Sequence, residues 1–373
     1  MTLEAYMRVG VAFAAALVIC FLAMPIVRSF AYKIGAIDVP ADETRMHDYA
    51  IPRLGGLAIF LGFIFSVVLF ADISKQLQGI LLGAVLIVVI GVLDDIMNLK
   101  WYIKFAVQII AALIPVYHGV VVSVISNPNV FSEAQYLNLN WLSVPITVVW
   151  IVLITNAVNL IDGLDGLAAG VSGIASVTTL VISLIVADLN VALVMAALAG
   201  GCVGFLPYNF NPRKNLKMIM GDTGALFLGY ILASVSIMGL FKFFAIISFA
   251  VPFLVLGLPL FDVTFSFIRR IAKGQHPMHR DRGHFHHRLI DMGLSQKQAV
   301  AILYAISILL GLAAVVITTS GEMRALIIVA AFAAAGSIAF LLVRSRAASG
   351  KNADAQTKDA KPGDGEDKSP KDG

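Results

Sequence analysis

The chain has 373 residues, 59% of them hydrophobic and only 13% charged, with a mean hydropathy of +0.89 and a formal net charge of +4. A soluble domain is about a quarter charged, so a water-soluble globular fold is excluded. Both cysteines, Cys20 and Cys202, lie inside apolar runs, which excludes a disulfide-stapled secreted scaffold.

Eleven apolar runs follow along the chain, at about 7–27, 54–71, 79–93, 103–125, 144–160, 167–187, 190–206, 223–240, 244–268, 299–318 and 324–343. Most approach the ~20 residues that a helix needs to cross a bilayer, and shorter ones such as 79–93 are expected to extend into their flanks. They are continuous rather than alternating, so they predict helices and not barrel strands. The first is long for a signal peptide and has no small-x-small cleavage site after it, so it is expected to stay in the mature protein. The fold class is therefore all-α, a polytopic integral membrane protein with about 11 transmembrane helices. Residues 1–345 are expected to form a single transmembrane domain. Residues 346–373 carry Lys, Asp, Gly and Pro but no large apolar side chain, and are expected to be a disordered charged tail. No internal repeat of the kind found in inverted-repeat transporters is visible.

With eleven spans, 23 of the 27 Lys and Arg fall on one face and only Arg8, Lys75, Lys242 and Arg324 on the other. The positive-inside rule then predicts the N-terminus outside and the C-terminus in the cytoplasm.

The residues that could carry chemistry gather at span ends on that basic face. The first loop, DVPADETRMHDYAIPRLGG, holds Asp38, Arg45, His47, Arg53 and the pair Gly55–Gly56, and by itself reads as a basic loop touching lipid headgroups. Asp94 and Asp95 close the third run; adjacent carboxylates there repel unless a cation compensates, although a solvated helix end would look the same. The fifth run ends in TNAVNLIDGLDGLAAG, where Asn159, Asp162 and Asp165 recur every third residue, so a helical turn would bring them to one side. Gly163, Gly166 and Gly170 break the chain sharply and permit close approach to a ligand. An interhelical turn alone would need one or two of these residues rather than the set.

In YNFNPRKNLKMIMGDTGALFLGY, Asp222 and Thr223 stand at the start of a helix, the place of a capping residue, and Asp222 could also bind a metal with its other oxygen. The last basic loop, RRIAKGQHPMHRDRGHFHHRLIDMGLSQKQ, contains His276, His279, His284, His286 and His287 with Arg280, Arg282 and Arg288. No cysteine accompanies them and no zinc spacing is recognisable; Arg among His fits phosphate oxygens better. Carboxylates that bind Mg²⁺ beside Arg and His that bind phosphates imply a nucleotide-diphosphate substrate, and a membrane-surface site implies a lipid co-substrate.

These motifs, DD followed by N and K, NAVNLIDGLDGLAAG, NFNP…MGDTG and DRGHFHHRL, resemble those of the polyprenyl-phosphate N-acetylhexosamine-1-phosphate transferases over about residues 25–300. His284, His286, His287, Arg288 and Leu289 resemble the undecaprenyl-phosphate GlcNAc-1-phosphate branch. The MurNAc-pentapeptide translocases instead carry three consecutive histidines, a run that Phe285 interrupts here. The resemblance implies that UDP-GlcNAc and undecaprenyl phosphate give undecaprenyl-diphospho-GlcNAc and UMP with Mg²⁺ or Mn²⁺, at the cytoplasmic face of a bacterial cytoplasmic membrane. It implies Asp222 as the principal metal ligand, and Asp94 and Asp95 as the pair nearest the lipid phosphate, Asp94 serving as base or second metal ligand. Asn159, Asp162, Asp165 and Asn209 would surround the nucleotide and metal, with Asp162 and Asp165 counted among the catalytic acids. His284, His286, His287 and Arg288 would clamp the diphosphate and sugar, and Arg282, Arg45 and Lys104 would complete the substrate-binding set. About three extra residues near Asn215–Lys217, and Ala225 where Ser is common, depart from the family pattern.

Nucleic acid is not an expected partner, and a homodimer is left open. A donor with GalNAc or MurNAc-pentapeptide is the alternative within the class. The rival from another class is an ion-coupled transporter; it calls for charges at mid-span, whereas Asp262 is the one acid placed inside a span, near its cytoplasmic end, where it would join the site or pair with Arg269 or Arg270.

Overall fold

The computed structural model describes residues 1–39, 49–126, 136–213, 215–240, 250–272 and 284–319, with Ile327. Among these, seven helical segments are long and apolar enough to cross a membrane, and two shorter helices are equally apolar. The protein is thus a multi-span, mainly helical membrane protein.

Helix α1 (Leu3–Ile34) starts where the Thr2 side chain accepts the Ala5 N–H at 3.3 Å and stops at Gly35, which takes the left-handed conformation at φ 76°. Its 32 residues span about 48 Å, more than the ~30 Å hydrocarbon layer, so it reaches beyond it. A two-residue ribbon, β1 (Ile37–Asp38) with β2 (Ile51–Pro52), leads into α2 (Gly55–Phe70). Helix α3 (Lys75–Met97) is capped by Ser74 and ends at Asn98, at φ 49°. It extends four residues past the predicted apolar run at each end.

Helix α4 (Trp101–Tyr117) is shorter than the expected span 103–125. Pro115 removes a backbone donor, Gly119 turns the chain at φ 89°, and Val124–Ser126 forms β3, antiparallel to β4 (Tyr136–Asn138). Then follow α5 (Ser143–Ile161), α6 (Leu167–Ile185), α7 (Leu189–Asn209) and α8 (Gly221–Val235), the last continuing as a π-turn through Ser236–Leu240. Where a run over 244–268 was expected, the described part is two helices, α9 (Ala250–Val255) and α10 (Gly257–Ala272), parted at Leu256. A short helix α11 (Phe285–Asp291) precedes α12 (Gln296–Thr318), whose start carries a Ser295–Gln298 capping box. The expected span 324–343 and the tail lie outside the described residues, apart from Ile327.

Two helices organise the bundle. Every described residue of α8 except Asp222 is buried, with α3 and α5 packed along it and α2 and α6 against it. Helix α7 is enclosed by α1, α2 and α6, while α12 packs on α6 and α9. A helix apolar all round must be surrounded, and α8 is. Its first turn therefore opens into the middle of the other helix ends, and the polar residues of α3, α4 and α5 converge there.

Candidate active site

Asp95 sits in the last turn of α3 and is 3% exposed. Its Oδ1 accepts the Asp222 N–H at 3.0 Å; its Oδ2 accepts the Thr223 N–H at 3.1 Å and the Thr223 hydroxyl at 2.6 Å. These N–H groups are the orphan donors that begin α8. The cap of α8 is therefore supplied by α3, across 127 residues of sequence, and not by Asp222 or Thr223 as their position suggested. The Arg53 Nε lies 3.6 Å from Asp95 Oδ1 and balances its charge. Arg53 also donates to the backbone carbonyls of Asp95 and Asp94, at 3.0 and 3.3 Å, and to Asn98 Oδ1 at 2.8 Å, satisfying the open end of α3. Gly221 fits this junction because it lacks a side chain. At φ 75°, a Cβ there would lie 2.2 Å from the Arg53 carbonyl and 2.5 Å from Asp95 Oδ2.

Asp94 faces the other way. Its Oδ1 accepts the Leu99 N–H at 2.7 Å, and its Oδ2 accepts from Lys104 Nζ at 2.9 Å. The same Nζ donates to Asp222 Oδ2 at 2.9 Å, while Asn159 Nδ2 donates to Asp222 Oδ1 at 3.1 Å. Lys104 thus bridges two carboxylates from α3 and α8. All four groups (Asp94, Lys104, Asn159, Asp222) come from different helices and meet at the partly open mouth of α8, where Asp94 alone is buried.

Helix α5 ends at Ile161, so the spacing of Asn159, Asp162 and Asp165 does not put them on one helical face. Only Asn159 is helical. Asp162 lies in the turn beyond, and although part of its surface reaches solvent, enclosure by protein pushes its carboxyl up to about 8, helped by the charges of Asp222, Asp95 and Asp165. Asp165 pairs with Lys217, at 2.5 Å. Asn209 uses both ends of its amide on backbone, accepting from the Gly166 N–H and donating to the Met218 carbonyl at 2.8 Å. It clasps the IDGLDG turn to the loop before α8.

Helix α11 meets this turn at Gly163. His286 is 2% exposed, and its Nε2 is buried with no hydrogen-bond partner among the described residues. That atom lies 2.3 Å from where a Cβ of Gly163 would stand, so the IDGLDG turn has a glycine where the imidazole abuts it. Burial, with the neighbouring His287 and His284, pushes His286 down to about 4 despite the opposing pull of Asp262, so it is neutral near pH 7. Its ring lies nearly parallel to that of His284, with centroids 5.9 Å apart, and 4.2 Å from that of His287. Arg288 is exposed, with its guanidinium 5.6 Å above the Phe265 ring. Phe285, between His284 and His286, lines an apolar cleft of about 580 Å³ with Leu153, Phe253, Leu258, Phe261 and Leu310.

Of the expected site residues, Asp94, Asp95, Asn159, Asp222 and Lys104 are brought together by direct contacts. Asp162 and Asp165 belong to the IDGLDG turn, Asp165 paired with Lys217, while His286 abuts the turn and Asn209 is bonded to its Gly166. Arg45 and Arg282, with His47, His276, His279 and Arg280, lie outside the described residues. Reading the chain alone gave too little weight to Arg53, taken for a headgroup contact, and to Thr223. The signal available for Arg53 was its place just before Gly55–Gly56, whose N–H groups donate to the Ile219 and Met220 carbonyls at 2.9 Å and so bring the first loop against the start of α8.

The sequence matches glycosyl transferase family 4 over residues 77–240. It is 39% identical over 318 residues to the probable undecaprenyl-phosphate N-acetylglucosaminyl 1-phosphate transferase of Bacillus subtilis, covering 85% of this chain and 87% of that protein. The chain belongs to the polyprenyl-phosphate N-acetylhexosamine-1-phosphate transferases. It is also 32% identical over 323 residues to the decaprenyl-phosphate N-acetylglucosaminephosphotransferase of Mycobacterium tuberculosis, covering 78% of this chain and 77% of that protein. A phospho-N-acetylmuramoyl-pentapeptide-transferase of Streptococcus agalactiae is 29% identical over 222 residues, 55% of this chain and 65% of that one. The family matched is the one that the motifs resembled. All of the carboxylates that meet at the mouth of α8, and the IDGLDG turn, fall within the family-matched stretch, whereas the histidine loop lies beyond it.

Among the described residues, no three His, Cys, Asp or Glu side chains converge closely enough to cage a metal. Mg²⁺ needs no such cage, since it is commonly held by one or two carboxylates together with substrate phosphates and water. Asp94 and Asp222, already sharing the ammonium of Lys104 between their Oδ2 atoms, are a donor set that fits such an ion.

Proposed function

We propose that the protein transfers GlcNAc-1-phosphate from UDP-GlcNAc to undecaprenyl phosphate, releasing UMP, as the first lipid-linked step of a cell-envelope glycopolymer such as teichoic acid or O-antigen. The observation that carries this reading is the meeting of Asp94, Lys104, Asn159 and Asp222 at the mouth of α8, in a chain of this family. Two carboxylates, one ammonium and an amide suit a reaction in which two phosphates must be brought together.

An oxygen of the lipid phosphate attacks the β-phosphorus of the sugar nucleotide. The bond from that phosphorus to the bridging oxygen breaks, and UMP leaves with the electron pair. A phosphate monoester has its second pKa near 6, so the attacking oxygen is already mostly deprotonated at pH 7. Catalysis then rests on in-line positioning and on neutralising charge, more than on a base. Lys104 supplies a fixed positive charge between Asp94 and Asp222, and Asn159 holds Asp222 in place. Mg²⁺ or Mn²⁺, which Asp94 and Asp222 would hold, would supply further neutralisation of the diphosphate when bound. Asp95 keeps the start of α8, and with it Asp222, in register. The apolar cleft beside Phe285 has the lining that a polyprenyl chain needs.

The proposed setting is a bacterial cytoplasmic membrane, with about eleven spans, the N-terminus outside and the site facing the cytoplasm. Its support is the charge asymmetry: the end of the bundle that holds Asp94 and Asp222 also carries Arg28, Lys33, Arg53, Lys100, Lys104, Arg213, Lys217 and Lys297. UDP-sugars would reach it there.

Purified full-length protein incubated with Mg²⁺, undecaprenyl phosphate and each of several UDP-sugars tests the reading by UMP release. Release with UDP-GlcNAc alone is expected; release with another UDP-N-acetylhexosamine would reassign the donor, and release with none would overturn the proposal. UMP released without the lipid acceptor would instead indicate a covalent phospho-enzyme.

A further inference from the structure

A buried carboxylate outside the cluster around α8 has no role so far. Asp262 lies in α10 and is 2% exposed; Ser266, one turn on and on the same face, is 1% exposed. Leaving a carboxylate in such a place is costly unless it is hydrogen-bonded. Both oxygens of Asp262 have partners, and these, His284 and Phe285, belong to the start of α11. Its Oδ2 lies 2.9 Å from His284 Nδ1, and its Oδ1 accepts the Phe285 N–H at 2.7 Å. Ser266 Oγ stands 3.5 Å from the same Nδ1. His284 is itself 6% exposed and begins α11.

We infer that Asp262 is a positioning residue for the transferase reaction: it fixes His284 with its proton on Nδ1, leaving Nε2 for substrate, and sets the histidine loop against the IDGLDG turn. A carboxylate accepts but cannot donate, so the atom it faces must carry hydrogen. Neutral His284 then has a bare Nε2, and protonated His284 a donating one; in neither state can the ring exchange its two nitrogens without losing Asp262. The second bond, to the Phe285 N–H, holds the start of α11, and so the next imidazole. His286 is stacked parallel to His284 and abuts Gly163 of the turn that bears Asp162. Asp262 therefore links α10 to the donor side of the site through two imidazoles. Pairing with Arg269 or Arg270 is not needed to account for it. This inference rests on the proposed function for its kinetic consequence, but not for its structural one.

The test uses full-length protein with Asp262→Asn. The amide oxygen can still accept the Phe285 N–H, but the amide nitrogen now faces His284 and donates, which demands the other tautomer. In protein carrying isotope-labelled histidine, with His284 assigned by the signal missing in His284→Gln, magnetic resonance should find the proton on Nδ1 in the wild type and on Nε2 in Asp262→Asn. An unchanged tautomer overturns the inference whatever the activity. Affinity for UDP-GlcNAc, measured by calorimetry in detergent, should fall about 10–100-fold in Asp262→Asn, the scale of loss seen when a carboxylate that orients a metal-binding imidazole is removed. It should fall no further when Asp262→Asn is added to His284→Gln, because the first acts only through the second. Independent, additive losses would make Asp262 a general structural residue and overturn the inference. A wild type that binds no UDP-GlcNAc would contradict the proposed function instead, and the tautomer measurement would still decide the role of Asp262.

Discussion

The two sides of the site are built in opposite ways. The carboxylate side is made of four helix ends that brace one another: Asp95 caps α8, Arg53 caps α3, and Lys104 ties Asp94 to Asp222. Each of its charged groups has two or more partners, so no single contact determines its shape. The histidine side is a short helix, α11, whose polar tie to α10 among the described residues is the Asp262 carboxylate; Phe285 against Phe261 and Arg288 over Phe265 add ring contacts, and His286 abuts Gly163. A site that must hold repelling charges fixed gains from redundancy. A side that must admit and release a substrate works with few attachments, and substitutions there should alter binding before they alter the fold.

Asp222→Asn should produce the largest loss. It removes half the anionic charge that Lys104 balances and a donor of the proposed metal pair, and UMP release should fall by at least about a thousandfold. Raising Mg²⁺ to saturation should not restore it; near-normal activity under those conditions would refute the role.

Next comes a contrast between neighbours. Asp95→Asn keeps the shape but cannot accept from all three donors, so the first turn of α8 loses part of its cap, a loss of about 1–2 kcal/mol. The apparent melting temperature should drop by several degrees in detergent, and activity should fall with it. Asp94→Asn should lower kcat about a hundredfold with a smaller change in melting temperature, since its bonds to Lys104 are at a partly open site. If the two variants proved alike in stability, the division of labour between the two carboxylates would be wrong.

A smaller effect concerns protons. With its carboxyl at about 8, Asp162 is mostly protonated at pH 7 in the metal-free protein. A dication arriving nearby favours the ionised form, so Mg²⁺ binding should release most of one proton at pH 7 and much less at pH 9, where Asp162 is already ionised. Apparent Mg²⁺ affinity should rise with pH up to about 8 and then level off. Titration in weak buffer measures the release, and its loss in Asp162→Asn assigns it; equal release at both pH values would exclude Asp162 as the source.

These contrasts also indicate what was legible in the amino-acid sequence. Apolar runs located nearly every described helix, because a membrane span needs length and continuous hydrophobicity and little else. They overshot at α4, which stops at Tyr117, just after Pro115 removes a backbone donor, and merged α9 with α10, because hydrophobicity alone does not register a break at Leu256. Motifs picked out Asp94, Asn159 and Asp222, which the fold brings within reach of one another, although spacing could not reveal that Asp162 and Asp165 leave the helix. What remained hidden were partnerships across long stretches of chain. Nothing in GDTG says that its cap comes from Asp95, and nothing in GLPLFDV says that Asp262 faces His284. Those facts arise from packing of α8 between α3 and α5, and of α11 on α10.

The finest test of the contrast is Gly163→Ala, at the point where the two sides touch. The added Cβ would lie 2.3 Å from His286 Nε2 and 3.1 Å from the two adjoining ring carbons, far inside van der Waals contact. Gly163 has an ordinary backbone conformation for an L residue, since it is not among the glycines at positive φ, so the cost falls on the ring rather than on the turn. The ring has little room to rotate, because the His284 and His287 rings both lie against it, with centroids 5.9 and 4.2 Å away. It must shift, carrying α11 away from the turn. Since α11 is short and its polar ties among the described residues centre on Asp262, that shift should cost the fold little and be felt in donor binding, as a loss of affinity of about three- to tenfold with little change in melting temperature. In a His286→Ala background the same methyl group has room, and Gly163→Ala should then cost nothing more. An equal cost in both backgrounds would mean that the turn, not the imidazole, bears the strain, and that the two sides are less separable than their construction implies.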